Sequence, residues 1–178
     1  MTTEKPPYTC QSRYASAILE ALQCQGQAND CAPFTIATIL DALHIETRKG
    51  AEIATEMNRV AWRGILPVIR RVPNWATFPW GMVNMFKQYG LKARWRFNAT
   101  TSDLMSGLEQ NRILMPIIAS WKPLWAHVMT LIVYDEAQGW GFANTQNDDH
   151  KIHWVSNETF LRQWKASRNL LVEIINVL

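Results

Sequence analysis

The spacing of apolar residues changes character at Gly90, and that change bounds what the chain can fold into. Before Gly90 the apolar positions recur at helical intervals. Ile18, Leu19 and Leu22 mark a helix over 14–23, and the apolar run behind Cys31 marks one reaching about residue 43. Shorter helices are expected over 50–58 and over 80–89, the second stopped by Gly90. After Gly90 the pattern alternates. Ala93, Trp95 and Phe97 take one face of 91–97, and Lys92, Arg94 and Arg96 take the other. Strands are expected over 113–119, 128–134, 140–143, 152–155 and 170–177, with Asp135 to Gly139 turning a hairpin. Thr101, Ser102 and Asp103 cap a short helix to Gln110, and Ser156 starts another through Trp164. Helices collect in the first half and strands in the second. That order predicts an α+β fold, with N-terminal helices packed on a C-terminal antiparallel sheet.

The chain has 178 residues, of which 48% are hydrophobic and 19% charged, a balance that excludes disorder and can bury a sizeable core. Residues 1–12 read as a loose arm, and 13–178 as one domain. Residues 61–79 hold Trp62, Pro67, Pro73, Trp75 and Pro79 without periodicity, which predicts an irregular functional loop. No apolar run is long enough to span a bilayer, and no secretory signal opens the chain, so a cytoplasmic protein is expected. Cys10, Cys24 and Cys31 form neither a disulfide framework nor a zinc-site spacing, so neither a metal nor an organic cofactor is expected.

Net charge is only +3 but uneven. No Asp or Glu lies between Arg59 and Ser102, a stretch holding Arg59, Arg63, Arg70, Arg71, Lys87, Lys92, Arg94 and Arg96. Two readings are open: a solvated face with scattered cations, or a surface for an acidic partner. The run Arg94-Trp95-Arg96-Phe97 also suits base stacking. An ordinary half-buried strand accounts for it as well, and nucleic acid is not the expected partner.

One stretch carries chemistry. Polar residues from Gln25 to Asp30 lead to Cys31, and an apolar helix follows. Asn29 and Asp30 are capping types, and Pro33 fits only a first turn, so Cys31 sits at or beside a helix N-terminus. Free N–H groups and the dipole there favour a thiolate, which makes Cys31 a candidate nucleophile and the most reactive of the three thiols. The alternative is a buried structural thiol. A thiol nucleophile needs a base, an orienter and oxyanion donors. His127 opens the apolar strand run ending at Val133, and Asn144 ends the paired strand across the hairpin, within reach of the ring. Asp148 and Asp149 are fallback orienters, and Gln25 is a candidate oxyanion donor beside the Cys31 N–H. His44, His150 and His153 have no comparable placement, and the last two read as surface residues.

In this respect the chain resembles the peptidase C39-like branch of the papain-like cysteine peptidases. The resemblance rests on Gln25 six residues before Cys31 in Asp30-Cys31-Ala32-Pro33, on His127 leading an apolar strand, and on Asn144 beyond the hairpin. Trp80-Gly81-Met82 and Phe160-Leu161-Arg162-Gln163-Trp164 are similar in order, so the likeness covers about residues 25–175. Ala32 stands where the family usually has Gly, and Asn144-Thr145 where it usually has Asp-Pro. The resemblance implies a papain-like fold and peptide or amide hydrolysis through an acyl-enzyme on Cys31. His127 would be the base, Asn144 its orienter, and Gln25 the oxyanion donor. It implies a peptide or protein substrate. Two rivals stand beside it: an amidase or acyltransferase using the same site, and a non-catalytic domain binding a peptide or nucleic acid through its Arg- and Trp-rich stretch.

Overall fold

The computed structural model describes residues 8–176. In chain order it forms β1 (Thr9–Gln11), α1 (Ala15–Glu20), α2 (Cys31–Ala42) and α3 (Gly50–Met57). Four short strands follow: β2 (Ala61–Arg63), β3 (Leu66–Val68), β4 (Arg71–Val72) and β5 (Ala76–Thr77). Then come α4 (Pro79–Gln88), β6 (Lys92–Arg96), α5 (Thr101–Glu109), β7 (Ile113–Trp121), β8 (Leu124–Val128) and β9 (Thr130–Asp135). The chain closes with β10 (Gly139–Ala143), β11 (His153–Val155), α6 (Asn157–Ala166) and β12 (Leu171–Asn176).

The main sheet runs β11-β10-β9-β7-β12-β6, with β1 against β9 and β8 against β7. Each of its pairs is antiparallel. The alternation of side chains sorts the core into two layers. Along β7, Ile113, Met115 and Ile117 join the cluster under α2, α3 and α4, while Leu114 and Ile118 join the cluster under α5 and α6. The second layer is strongly aromatic: Trp140, Phe142, Phe160 and Trp164 stack with centroids 5.1–5.4 Å apart. A smaller cluster seats α1 on Ile132 and Ala143.

The α+β expectation stands, with local corrections. Part of the predicted arm is a strand: Thr9, Cys10 and Gln11 pair with Asp135, Tyr134 and Val133, while residues 1–7 lie outside the described residues. The first helix is shorter than its apolar spacing suggests. The supposed irregular loop at 61–79 contains two small antiparallel ribbons, β2–β3 and β4–β5, whose strands of two or three residues are too short to show a period. Thr100, one residue earlier than expected, caps α5 in a reciprocal box with Asp103.

The basic stretch is not a uniform cationic surface. Arg70 and Arg71 are buried, at 3% and 4% exposure. Arg70 donates to the Arg59 carbonyl at 3.1 Å and to that of Glu56, satisfying acceptors at the end of α3. Its own carbonyl meets α4 closely. A Cβ on Gly81 would lie 2.2 Å from the Arg70 oxygen, so only glycine lets α4 seat there. Arg94 and Arg96 converge with Arg112 on Glu173, whose side chain is 1% exposed, at 2.8, 3.1 and 3.3 Å. Arg59, Lys87, Lys92 and Arg94 remain exposed, and large apolar residues stand exposed in the same region: Trp62, Ile65, Leu66, Ile69 and Trp75.

Glu173 therefore compensates three guanidiniums from one buried carboxylate. Glu173→Ala leaves them gathered with Asp103, on Arg96, as the remaining counter-charge. Its expected cost is about 3–5 kcal/mol, the range for breaking a buried pair from one side, read as a lowered urea midpoint with an unchanged slope.

Candidate active site

The site forms where α2 meets β8 and the end of β10. Cys31 is the first residue of α2, half-buried, with its sulfur beside the backbone N–H of Val128. His127 immediately precedes Val128. It lies in β8 rather than opening one long strand, because the chain breaks between β8 and β9 at Met129. β8 itself, folded back on β7 through Ser120, Trp121 and Trp125, was hidden by its exposed, turn-like sequence.

His127 is 7% exposed and Asn144 4%. Imidazole Nε2 lies 2.8 Å from Asn144 Oδ1. The same Oδ1 accepts the Gln146 backbone N–H at 3.1 Å. A backbone N–H can only donate, so the atom it faces is the amide oxygen and not the nitrogen. Nε2 must then carry the proton, which leaves Nδ1 as a lone pair in the neutral ring. Asp148, the fallback orienter, is exposed on the turn beyond.

Gln25 is buried at the other side of the sulfur's loop. Its Nε2 donates to the Ala28 carbonyl at 2.7 Å, and its Oε1 accepts from the Thr145 hydroxyl at 2.7 Å. Its backbone N–H also reaches the Thr145 carbonyl at 2.8 Å. One amide hydrogen is thus spent within the loop and one is uncommitted. Thr145, which sequence reasoning passed over, welds the Gln25 loop to the residue following Asn144. Nothing in its type or spacing marks it.

The structure joins His127 to Asn144 and Gln25 to Thr145. Among the described residues no hydrogen bond links the Cys31 sulfur to the imidazole. The sulfur approaches β8 at Val128, whose side chain packs under α2. His127 instead lines an open cleft of about 540 Å³ with Asn144, Trp125, Trp154, Gln163 and His153. His153 was read as a surface residue. It faces this cleft because β11 pairs it with Phe142 beside the site.

Burial dominates both titrating groups. It pushes the Cys31 thiol up, against the pull of the Val128, Ala32 and Cys31 N–H groups, while the Asp30 charge adds to the rise. Desolvation here acts against the helix terminus and is the larger of the two effects. Burial lowers the His127 pKa, the Asn144 bond raises it, and the His153 charge lowers it. Burial thus favours the uncharged form of both groups.

Comparison with known proteins adds the fold. No protein-family model matches the sequence, and no curated protein matches it. Among solved structures, one described as a "putative C39-like peptidase" from Bacillus anthracis superposes with a TM-score of 0.65 at 14% identity, over 87% of this chain and 93% of that one. The fold is thus one shared with a C39-like peptidase structure, as the Gln25–Pro33 block implied. Among the described residues no helix is long and apolar enough to cross a membrane, and no group of three or more His, Cys, Asp and Glu residues could hold a metal ion.

His127 should titrate below the ordinary imidazole value of 6.5, and Asn144→Ala should lower it further by removing the bond that raises it. The unfolded chain then binds the proton more readily. Stability from this group is full above the ordinary imidazole range and is lost as pH falls through that range toward the folded value. Imidazole NMR titration checks the first expectation. A flatter acid limb of the unfolding curve in His127→Gln checks the second.

Proposed function

We propose that the protein is a C39-like cysteine peptidase, a hydrolase that opens a peptide or amide bond through an acyl-enzyme on Cys31. The observation that carries this reading is the His127–Asn144 pair, with its orientation locked by the Gln146 N–H. It presents a ring with one free lone pair at Nδ1, as a base for a neutral thiol requires. On substrate entry the Cys31 proton passes to Nδ1 as the sulfur attacks the carbonyl carbon. The oxyanion is held by the Cys31 N–H and the uncommitted hydrogen of the Gln25 amide. The imidazolium returns its proton to the leaving amine. Water, deprotonated by the same ring, then cleaves the thioester and frees Cys31. Asn144 acts by fixing the ring; its neutral amide offers no charge to the imidazolium.

A peptide or protein is the substrate under this reading. A reducing compartment, the cytoplasm, suits a thiol nucleophile and the further free cysteines Cys10 and Cys24. An amidase or acyltransferase would use the same residues and is separated by asking whether an added amine outruns water as acceptor. One observation favours the non-catalytic alternative: Trp62, Ile65, Leu66 and Trp75, on two ribbons consecutive in the chain, are 64–91% exposed, as large apolar side chains that meet a protein partner are.

A peptidyl electrophile shaped like a scissile bond decides between them. It should label Cys31 in preference to the more exposed Cys24, and His127→Ala should abolish the labelling. Cys31→Ala should remove turnover altogether. Gln25→Ala should cut kcat about 10- to 1000-fold, as loss of an oxyanion donor does. Labelling of Cys24 first, or equal labelling in His127→Ala, would return Cys31 to a structural thiol.

A further inference from the structure

Asp30 occupies the N-cap position of α2, yet its side chain makes no capping bond. A carboxylate at this position ordinarily turns back onto the N–H of the second or third helical residue. The third residue of α2 is Pro33, which has no N–H. Ala32 is then the one capping donor within the usual reach, and its N–H also favours the thiolate of the neighbouring Cys31. Carboxylate and sulfur therefore compete for a single hydrogen.

Arg71 decides the competition. Its Nη2 donates to Asp30 Oδ1, with the two side chains 2% and 18% exposed. A charge-assisted bond in so enclosed a place outweighs a cap to a neutral amide. The position of Arg71 is itself fixed. β4 is held by pairing of Arg71 with Thr77, and the neighbouring Arg70 carbonyl is pinned by the Phe78 N–H at 3.0 Å and by the close approach of Gly81. Asn29 also donates to the Asn74 carbonyl at 3.2 Å, tying the loop before Cys31 to the β4–β5 turn. Among the described residues, Nε and Nη1 of Arg71 are buried without a partner. A guanidinium so incompletely satisfied is a poor device for stability alone.

We infer that Arg71 is a positioning residue for the nucleophile: it draws the Asp30 carboxylate off the first turn of α2 and reserves the Ala32 N–H for the Cys31 sulfur. This rests on the reading of Cys31 as the nucleophile. Without Arg71 the carboxylate turns onto Ala32, takes the hydrogen the sulfur uses, and brings its charge nearer. The thiolate is then harder to form.

The test is the rate of Cys31 alkylation by iodoacetamide, followed by peptide mapping in the full chain from about pH 6 to about pH 10. Arg71→Met should slow Cys31 alkylation about tenfold near neutrality, equivalent to a midpoint raised by about one pH unit. Asp30→Ala should speed it, the double variant should follow Asp30→Ala, and Arg71→Lys should recover part of the loss. Loosened packing alone would expose the sulfur and make Arg71→Met faster. That result, or an unchanged rate in a variant folded by circular dichroism, overturns the inference. Should Arg71→Met not fold, Asp30→Ala decides: an unchanged or slower rate overturns it equally. The readout is the sulfur itself. Shifts of these signs without any peptide cleavage would keep the inference and sink the peptidase reading.

Discussion

The burial of α2 is the constraint on which the rest of this structure depends. Nine of its twelve residues, from Ala32 to Ala42, are buried, with Ile36, Ala37, Ile39 and Leu40 fully so. A helix apolar on every side has no stable place except inside a core. Here it packs under β6, β8 and β12 through one cluster, while Ala42 enters the cluster of α1 and β9. Its axis cannot slide without opening cavities in both, and each large side chain lost from such packing costs about 2–5 kcal/mol. The N-terminus of α2, and with it Cys31, is consequently placed by hydrophobic packing laid down well behind the site. The polar groups around the sulfur refine that position.

Charge is handled differently on the two faces of the sheet. On the α2 side, single arginines are spent on specific acceptors: Arg70 on the carbonyls closing α3, Arg71 on Asp30. On the other side Glu173, beside Leu171 in β12, gathers Arg94 and Arg96 from the edge strand and Arg112 from the turn before β7. Within the acid-free stretch from Arg59 to Ser102, Arg71 and Arg94 find counter-charges in distant parts of the chain, at Asp30 and Glu173, and Arg96 pairs with both Glu173 and the nearby Asp103. A count of local charge could not reveal this, because the pairing is a product of topology. Burial removes Arg70 and Arg71 from either reading of that stretch, and leaves Arg59, Lys87, Lys92 and Arg94 exposed.

Much of the architecture was legible because long segments obey one period each. α2, α4, α5, α6 and the strands β7, β9, β10 and β12 follow the apolar spacing closely. The strands missed are β1, β2–β5 and β8, each of which is very short or largely exposed, so that it is defined by its partner more than by its own apolar pattern. At the site, residue type and element position were enough to mark Cys31, His127, Asn144 and Gln25. What could not be read was the sign of the thiol's shift, which depends on how deeply α2 is sunk. Nor could the parts of Thr145, Arg71 and His153 be read, each of which reaches the site from a segment with no chemical signature of its own.

The break between β8 and β9 at Met129 puts the imidazole and its orienter on different strands. His127 stands in β8 against β7, and Asn144 follows β10, which lies against β9. The 2.8 Å bond between them therefore spans two separately paired strands, and the sulfur arrives from a third element, α2, beside the backbone of Val128. The site is a joint of three elements, each anchored in its own part of the core. Its geometry is thus inherited from the registers of the sheet and the depth of one helix, and a slip of a single register would dismantle it without touching any of its residues.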